Sequence, residues 1–106
     1  MLGVNELVDQ DRVFSALAHQ TRRAVLLVLH VNGGEMTSGS IAGRFGCTWQ
    51  TTSRHLRVLE EAGLIRATLR GRERVYQLNT GPIYDHVQDF VDRFGETSET
   101  PSGQDS

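Results

Sequence analysis

Apolar residues recur at helical spacing through the first sixty positions of the chain, and the period then shortens to two. Leu7, Val8, Phe14 and Leu17 predict a first helix ending near Ala18. Thr21 to Val31 predicts a second, strongly apolar helix, closed by the stop signal Asn32-Gly33-Gly34. Thr37 can serve as N-cap for a third helix over Ser38 to Phe45, with Ile41 inward. Gly46 supplies the backbone freedom for a tight turn. Thr48 can cap a fourth helix running to about Ala62, and Gly63 terminates it.

Beyond this point Leu64 to Leu69 and Arg74 to Leu78 are short, β-branched or aromatic segments flanking Arg70-Gly71-Arg72-Glu73. They predict a β-hairpin with Gly71 in its turn. Pro82 then opens a final helix, with Ile83, Val87, Phe90 and Phe94 at helical spacing. The order predicts a mainly α fold with a small β-hairpin wing, an α+β winged helix-turn-helix. One domain is expected over residues 1–96. Residues 97–106 are Ser/Thr/Glu/Gly/Pro-rich without a large apolar side chain, so a disordered tail is expected.

The fourth helix divides by face. With Thr52 at zero on a helical wheel advancing about 100° per residue, Trp49, Thr52, Leu56 and Leu59 share one side. That side is expected to pack on the second and third helices, Trp49 included. Gln50, Ser53, Arg54 and Arg57 fall together on the other. Such a stripe suits a major groove: Gln50 can pair bidentately with adenine, Arg54 with guanine, and Ser53 with a base or a phosphate. Thr48 and the helix N-terminus are placed to meet a phosphate. An ordinary amphipathic surface helix would show the same polar face, and the basic hairpin behind it favours the nucleic-acid reading.

Charge sharpens this picture. The net charge of −2 is unpromising for a nucleic-acid partner, but its distribution is uneven. Between positions 44 and 74 seven arginines (Arg44, Arg54, Arg57, Arg66, Arg70, Arg72 and Arg74) face only Glu60, Glu61 and Glu73, a local excess of +4. Elsewhere four arginines face ten acids. Positive charge concentrated in one stretch is the footprint of a polyanion partner. Arg70, Arg72 and Arg74 surround the hairpin turn and can lie along a sugar-phosphate backbone.

Other chemistry is thin. No Gly-rich phosphate loop, nucleophile motif or paired-carboxylate signature stands out, so an enzyme is not expected. The longest apolar run, Ala24 to Leu29, is too short to cross a bilayer, and Met1 to Glu6 lacks the positive flank and long apolar region expected of a secretory signal. No membrane partner is expected, and the chain is expected in the cytoplasm. The single cysteine, Cys47, precludes an internal disulfide. It is either a thiol tuned by the neighbouring helix or a small residue filling a turn. His86, Asp89 and Asp92 could contribute to a metal site or form a solvated helix face. His55 is expected to be partly buried and hydrogen-bonded.

The stretch Gly46-Cys47-Thr48-Trp49-Gln50-Thr51-Thr52-Ser53-Arg54-His55-Leu56-Arg57-Val58-Leu59 through Gly63-Leu64-Ile65 resembles the helix-turn-helix of the ArsR family of bacterial repressors. Phe14 to Arg23 is similar to that family's junction between its first two helices, and Gly71 to Leu78 to its wing. The likeness spans roughly residues 10–95. It implies a DNA-binding transcriptional repressor that is a homodimer through its first and last helices, with Ile83, Val87, Phe90, Val91 and Phe94 at the interface. Two-fold symmetry implies an imperfect palindromic operator in double-stranded DNA, with recognition helices about 34 Å apart. His19-Gln20 stands where the family often has Asp-Pro. The family's cysteines in the third-helix region are absent from Glu35 to Ile41, and of its last-helix zinc ligands only Glu96 has a counterpart. The resemblance therefore implies a regulator without a metal cofactor, and these residues identify no inducer. Two alternatives stand beside it: a winged helix used to dock proteins, and a relative with an unfamiliar metal or thiol switch.

Overall fold

The computed structural model describes residues 3–97. Helix α1 spans Val4–Leu17 and α2 spans Gln20–Val31. A short strand, β1 (Glu35–Thr37), leads into α3 (Ser38–Phe45) and α4 (Trp49–Glu61). The hairpin strands β2 (Ile65–Arg70) and β3 (Glu73–Leu78) follow. A π-helical segment, Ile83–Gln88, then runs directly into α5 (Asp89–Thr97). The predicted tail lies outside the described residues except for Thr97, which ends α5.

Local chemistry explains most boundaries. The hydroxyls of Thr37 and Thr48 accept the amides of Ser40 (3.1 Å) and Thr51 (3.2 Å), capping α3 and α4 as expected. Gly46 and Gly63 follow α3 and α4 at φ of 62° and 78°, a left-handed conformation that side chains with a Cβ resist. The departure at His19 does not leave α2 uncapped, because its Nδ1 accepts the Thr21 amide at 3.2 Å. Arg22 and Arg23 close α1 from outside. Arg22 donates to the carbonyls of Ser15 (3.0 Å) and Ala16 (2.8 Å), and Arg23 to Leu17 (2.7 Å). Two guanidinium groups thus meet the negative end of the α1 dipole.

The core joins α1, α2, α3, α4 and the sheet. Val13, Ala16, Val25, Leu26, Leu29, Ile41, Leu56, Leu59, Leu64, Ile65 and Tyr76 are all buried in one cluster. Thr52 turns inward with Leu56 and Leu59, as the wheel required.

Two features depart from the sequence expectation. Glu35-Met36-Thr37 forms β1, which pairs antiparallel with β3, Met36 opposite Tyr76, making a three-stranded sheet in the order β1-β3-β2. The last helix begins with π turns after Pro82 rather than as a regular α-helix. In this segment Ile83 and Val87 pack against the chain's own core.

Candidate nucleic-acid interface

Helix α4 seats its apolar side on the core and turns the opposite side outward. Gln50, Arg54 and Arg57 are exposed and Ser53 is half-buried. The structure brings these four together, with Trp49, around a shallow concavity of about 310 Å³. Thr48 sits at the helix end, but its hydroxyl is committed: it accepts the Thr51 amide and donates to Thr51 Oγ1 at 3.1 Å. Its contribution is therefore to fix the helix terminus.

Trp49 corrects the sequence reading. Packing on neighbouring helices was expected, yet the indole is 49% exposed. It occupies the first turn of α4, on the border between the two faces. Leu56 and Leu59 find neighbours about two and three turns later, whereas no described residue covers the outer half of the ring at the helix start. Its position bordering Ser53 on the wheel was the signal available.

The wing arginines separate into two groups. Side chains alternate across a strand, and the register sets Arg70 opposite Glu73 and Arg74 opposite Leu69, so Arg70 and Arg74 point to opposite faces of the ribbon. Arg72 is exposed at the two-residue turn, where Gly71 adopts φ 67°. Arg70, expected to meet a phosphate, is engaged within the chain. Its guanidinium donates bidentately to Glu35 Oε2 (2.7 Å) and Oε1 (3.0 Å), and Gln77 Nε2 donates to Oε1 at 3.3 Å. These bonds, Arg70's first, hold the Glu35 carboxyl below the usual carboxylate range. The sequence separation of 35 residues between Glu35 and Arg70 hid this pair.

Behind the exposed stripe, His55 is buried as expected. Its ring lies 4.4 Å from that of His19, and Arg22 Nη1 lies 3.3 Å from Nδ1. Burial pushes the His55 imidazole below its ordinary value of 6.5, and electrostatic repulsion from His19, Arg22 and Arg54 adds to the shift. A lowered native value means that the unfolded chain binds the extra proton. His55 therefore contributes stability that is complete above pH 6.5 and is lost as pH falls from there toward the native value. Urea midpoints of the wild-type chain are expected to drop between about pH 7.5 and about pH 5.5, and His55→Gln to flatten that drop. An equal drop in both proteins would assign it to another group.

The remaining chemistry is accounted for locally. Cys47 is half-buried, its Sγ 3.5 Å from the Phe45 carbonyl. Asp89 pairs with Arg93 at 3.1 Å, and Gln88 donates to Asp92 at 2.9 Å. Among the described residues no group of three His, Cys, Asp or Glu side chains could hold a metal ion. The surface expected to pair subunits is split: Ile83 and Val87 are half-buried on the core, while Phe90, Val91 and Phe94 remain exposed. Val4, Leu7 and Val8 on α1 are exposed too.

The profile of a helix-turn-helix domain family matches residues 17–67, which hold α2, α3, α4 and the start of the wing. The chain is 36% identical over 77 residues to the transcriptional repressor SdpR of Bacillus subtilis, covering 73% of this chain and 83% of that protein. It superposes on the ArsR family transcriptional regulator RHA00566 with a TM-score of 0.81 at 29% identity, covering 96% of this chain and all of that one. This chain belongs to the ArsR family of winged helix-turn-helix transcriptional regulators. It also matches the homodimeric winged helix-turn-helix DNA-binding domain Mb0332 of Mycobacterium bovis, with a TM-score of 0.64, 29% identity and 91% of both chains covered. Within this ArsR-family chain, His19 supplies the α2 cap where the resemblance led one to expect Asp-Pro. Its Glu35, ahead of α3, is tied to Arg70 of the wing.

Proposed function

We propose that this ArsR-family regulator is a homodimeric repressor that reads an imperfect palindromic operator in the cytoplasm. The single observation that carries the reading is the exposed concavity on α4, where Gln50, Ser53, Arg54 and Arg57 converge. Two hydrogen-bonding side chains with matched donor patterns, Gln50 and Arg54, read adenine and guanine edges, and Ser53 adds a short polar contact. Arg57, Arg72 and Arg74 neutralise phosphates beside them. Arg70 braces the wing against β1 through Glu35 and reaches the backbone only by sharing that bond. The repressor role is supported by the relative SdpR, and the dimer by Mb0332. The exposed apolar residues of α1 and α5 supply the surface that a two-fold interface would bury, with Ile83 and Val87 supporting it from beneath.

Fluorescence anisotropy tests this reading on DNA from upstream of the coding region, against scrambled DNA, near physiological salt. A preference of roughly a thousandfold or more, with one dimer per site, is expected. Equal weak binding, with no motif recovered by genome-wide selection of bound fragments, would hand precedence to a winged helix that docks proteins.

A further inference from the structure

The polar residues of α4 leave one feature of the operator unread. A thymine differs from the other pyrimidine in the major groove by its 5-methyl group as well as by its O4 acceptor, and apolar surface is what senses that methyl. Gln50, Ser53, Arg54 and Arg57 end in polar groups and cannot offer it a broad apolar face. Trp49 can. It is the chain's sole tryptophan, it lies on the first turn of the reading helix, and half of its surface is open to solvent. It lines the same concavity as all four polar residues, whereas Leu27 and Val31, also exposed, stand on α2. A large ring left in water beside two arginines is apolar surface held ready for a partner that is anionic outside and apolar at one point within.

We infer that Trp49 is a base-reading residue, its indole edge seated on the 5-methyl group of a thymine adjoining the base contacted by Ser53 or Gln50. The inference rests on the DNA-reading role proposed for α4. It adds a contact in which neither partner is charged, so its contribution is independent of salt while those of Arg57 and Arg72 are not.

The test uses the full chain and the selected operator, with each thymine replaced in turn by deoxyuridine, which removes the methyl alone. Wild-type protein is expected to lose about fourfold in affinity per half-site at one thymine, the worth of one buried methyl group. Trp49→Ala should show no loss at that position, and Trp49→Phe should keep it. Because no other tryptophan contributes, operator binding should also shield the Trp49 emission from acrylamide quenching. A deoxyuridine penalty identical in wild type and Trp49→Ala overturns the inference, as does a Trp49→Ala loss shared equally by all sequences. Both results leave the base-reading role of Arg54 standing. A wild-type protein that selects no operator overturns that role and this inference together.

Discussion

Replacing Phe90 by aspartate is expected to convert the protein into monomers and to weaken operator binding by on the order of 10²–10⁴-fold, the advantage two linked half-site contacts hold over one. Phe90 is 42% exposed, and its ring meets Phe14 at 5.4 Å and Phe94 at 5.1 Å, both edge to face. It thus belongs to an aromatic row spanning α1 and α5 rather than to the sealed core. The subunit should survive the change, because the buried cluster around Leu29 and Leu59 does not depend on it. The dimer should not, because a carboxylate buried at a two-fold interface has no partner to offset its desolvation. Sedimentation reports the outcome, with circular dichroism as the check on folding and Phe90→Leu expected to remain dimeric. An unchanged dimer in Phe90→Asp would move the subunit interface elsewhere.

Arg54→Ala is expected to cost about 1–3 kcal/mol per half-site and to relax selectivity at one base pair in each. The wing arginine Arg72 should behave differently. Arg72→Ala removes a phosphate contact, so all sequences should weaken alike and the salt dependence should flatten by about 0.9 per subunit. Binding titrations over a salt series, on operator and on single-base variants, separate the two patterns. Indistinguishable behaviour would mean that α4 and the wing do not divide the work of base and backbone contact.

The elements visible in the sequence are those set by neighbours close along the chain. Thr37 and Thr48 as caps, Gly46 and Gly63 as terminators, and the inward set Thr52, Leu56 and Leu59 all follow from residues within a turn or two. The features that escaped depend on distant partners. Three residues carrying one methionine do not announce β1, which exists because β3 offers it an edge some forty residues later. Arg70 looked available because Glu35 is far away in sequence and adjacent in space. Trp49 falls on the inward side of the wheel, but periodicity alone cannot say where covering helices stop. The gathering of Gln50, Ser53, Arg54 and Arg57 was legible, since one helix places all four. The families of contacts that build the apolar subunit surface were legible only in part, because spacing alone does not distinguish Ile83 and Val87, which face their own core, from Phe90 and Phe94.

Arg22 fastens three helices at one point: from α2 it holds the last carbonyls of α1 and reaches the His55 ring of α4. Within a subunit, α4, the helix proposed to read DNA, is therefore tied to α1, the helix expected at the subunit boundary. In the proposed dimer, the spacing of the two α4 helices would then be set by the angle between subunits. Release of the proposed dimer from its operator is then expected to involve rocking of one subunit on the other, with the Arg22 contacts kept.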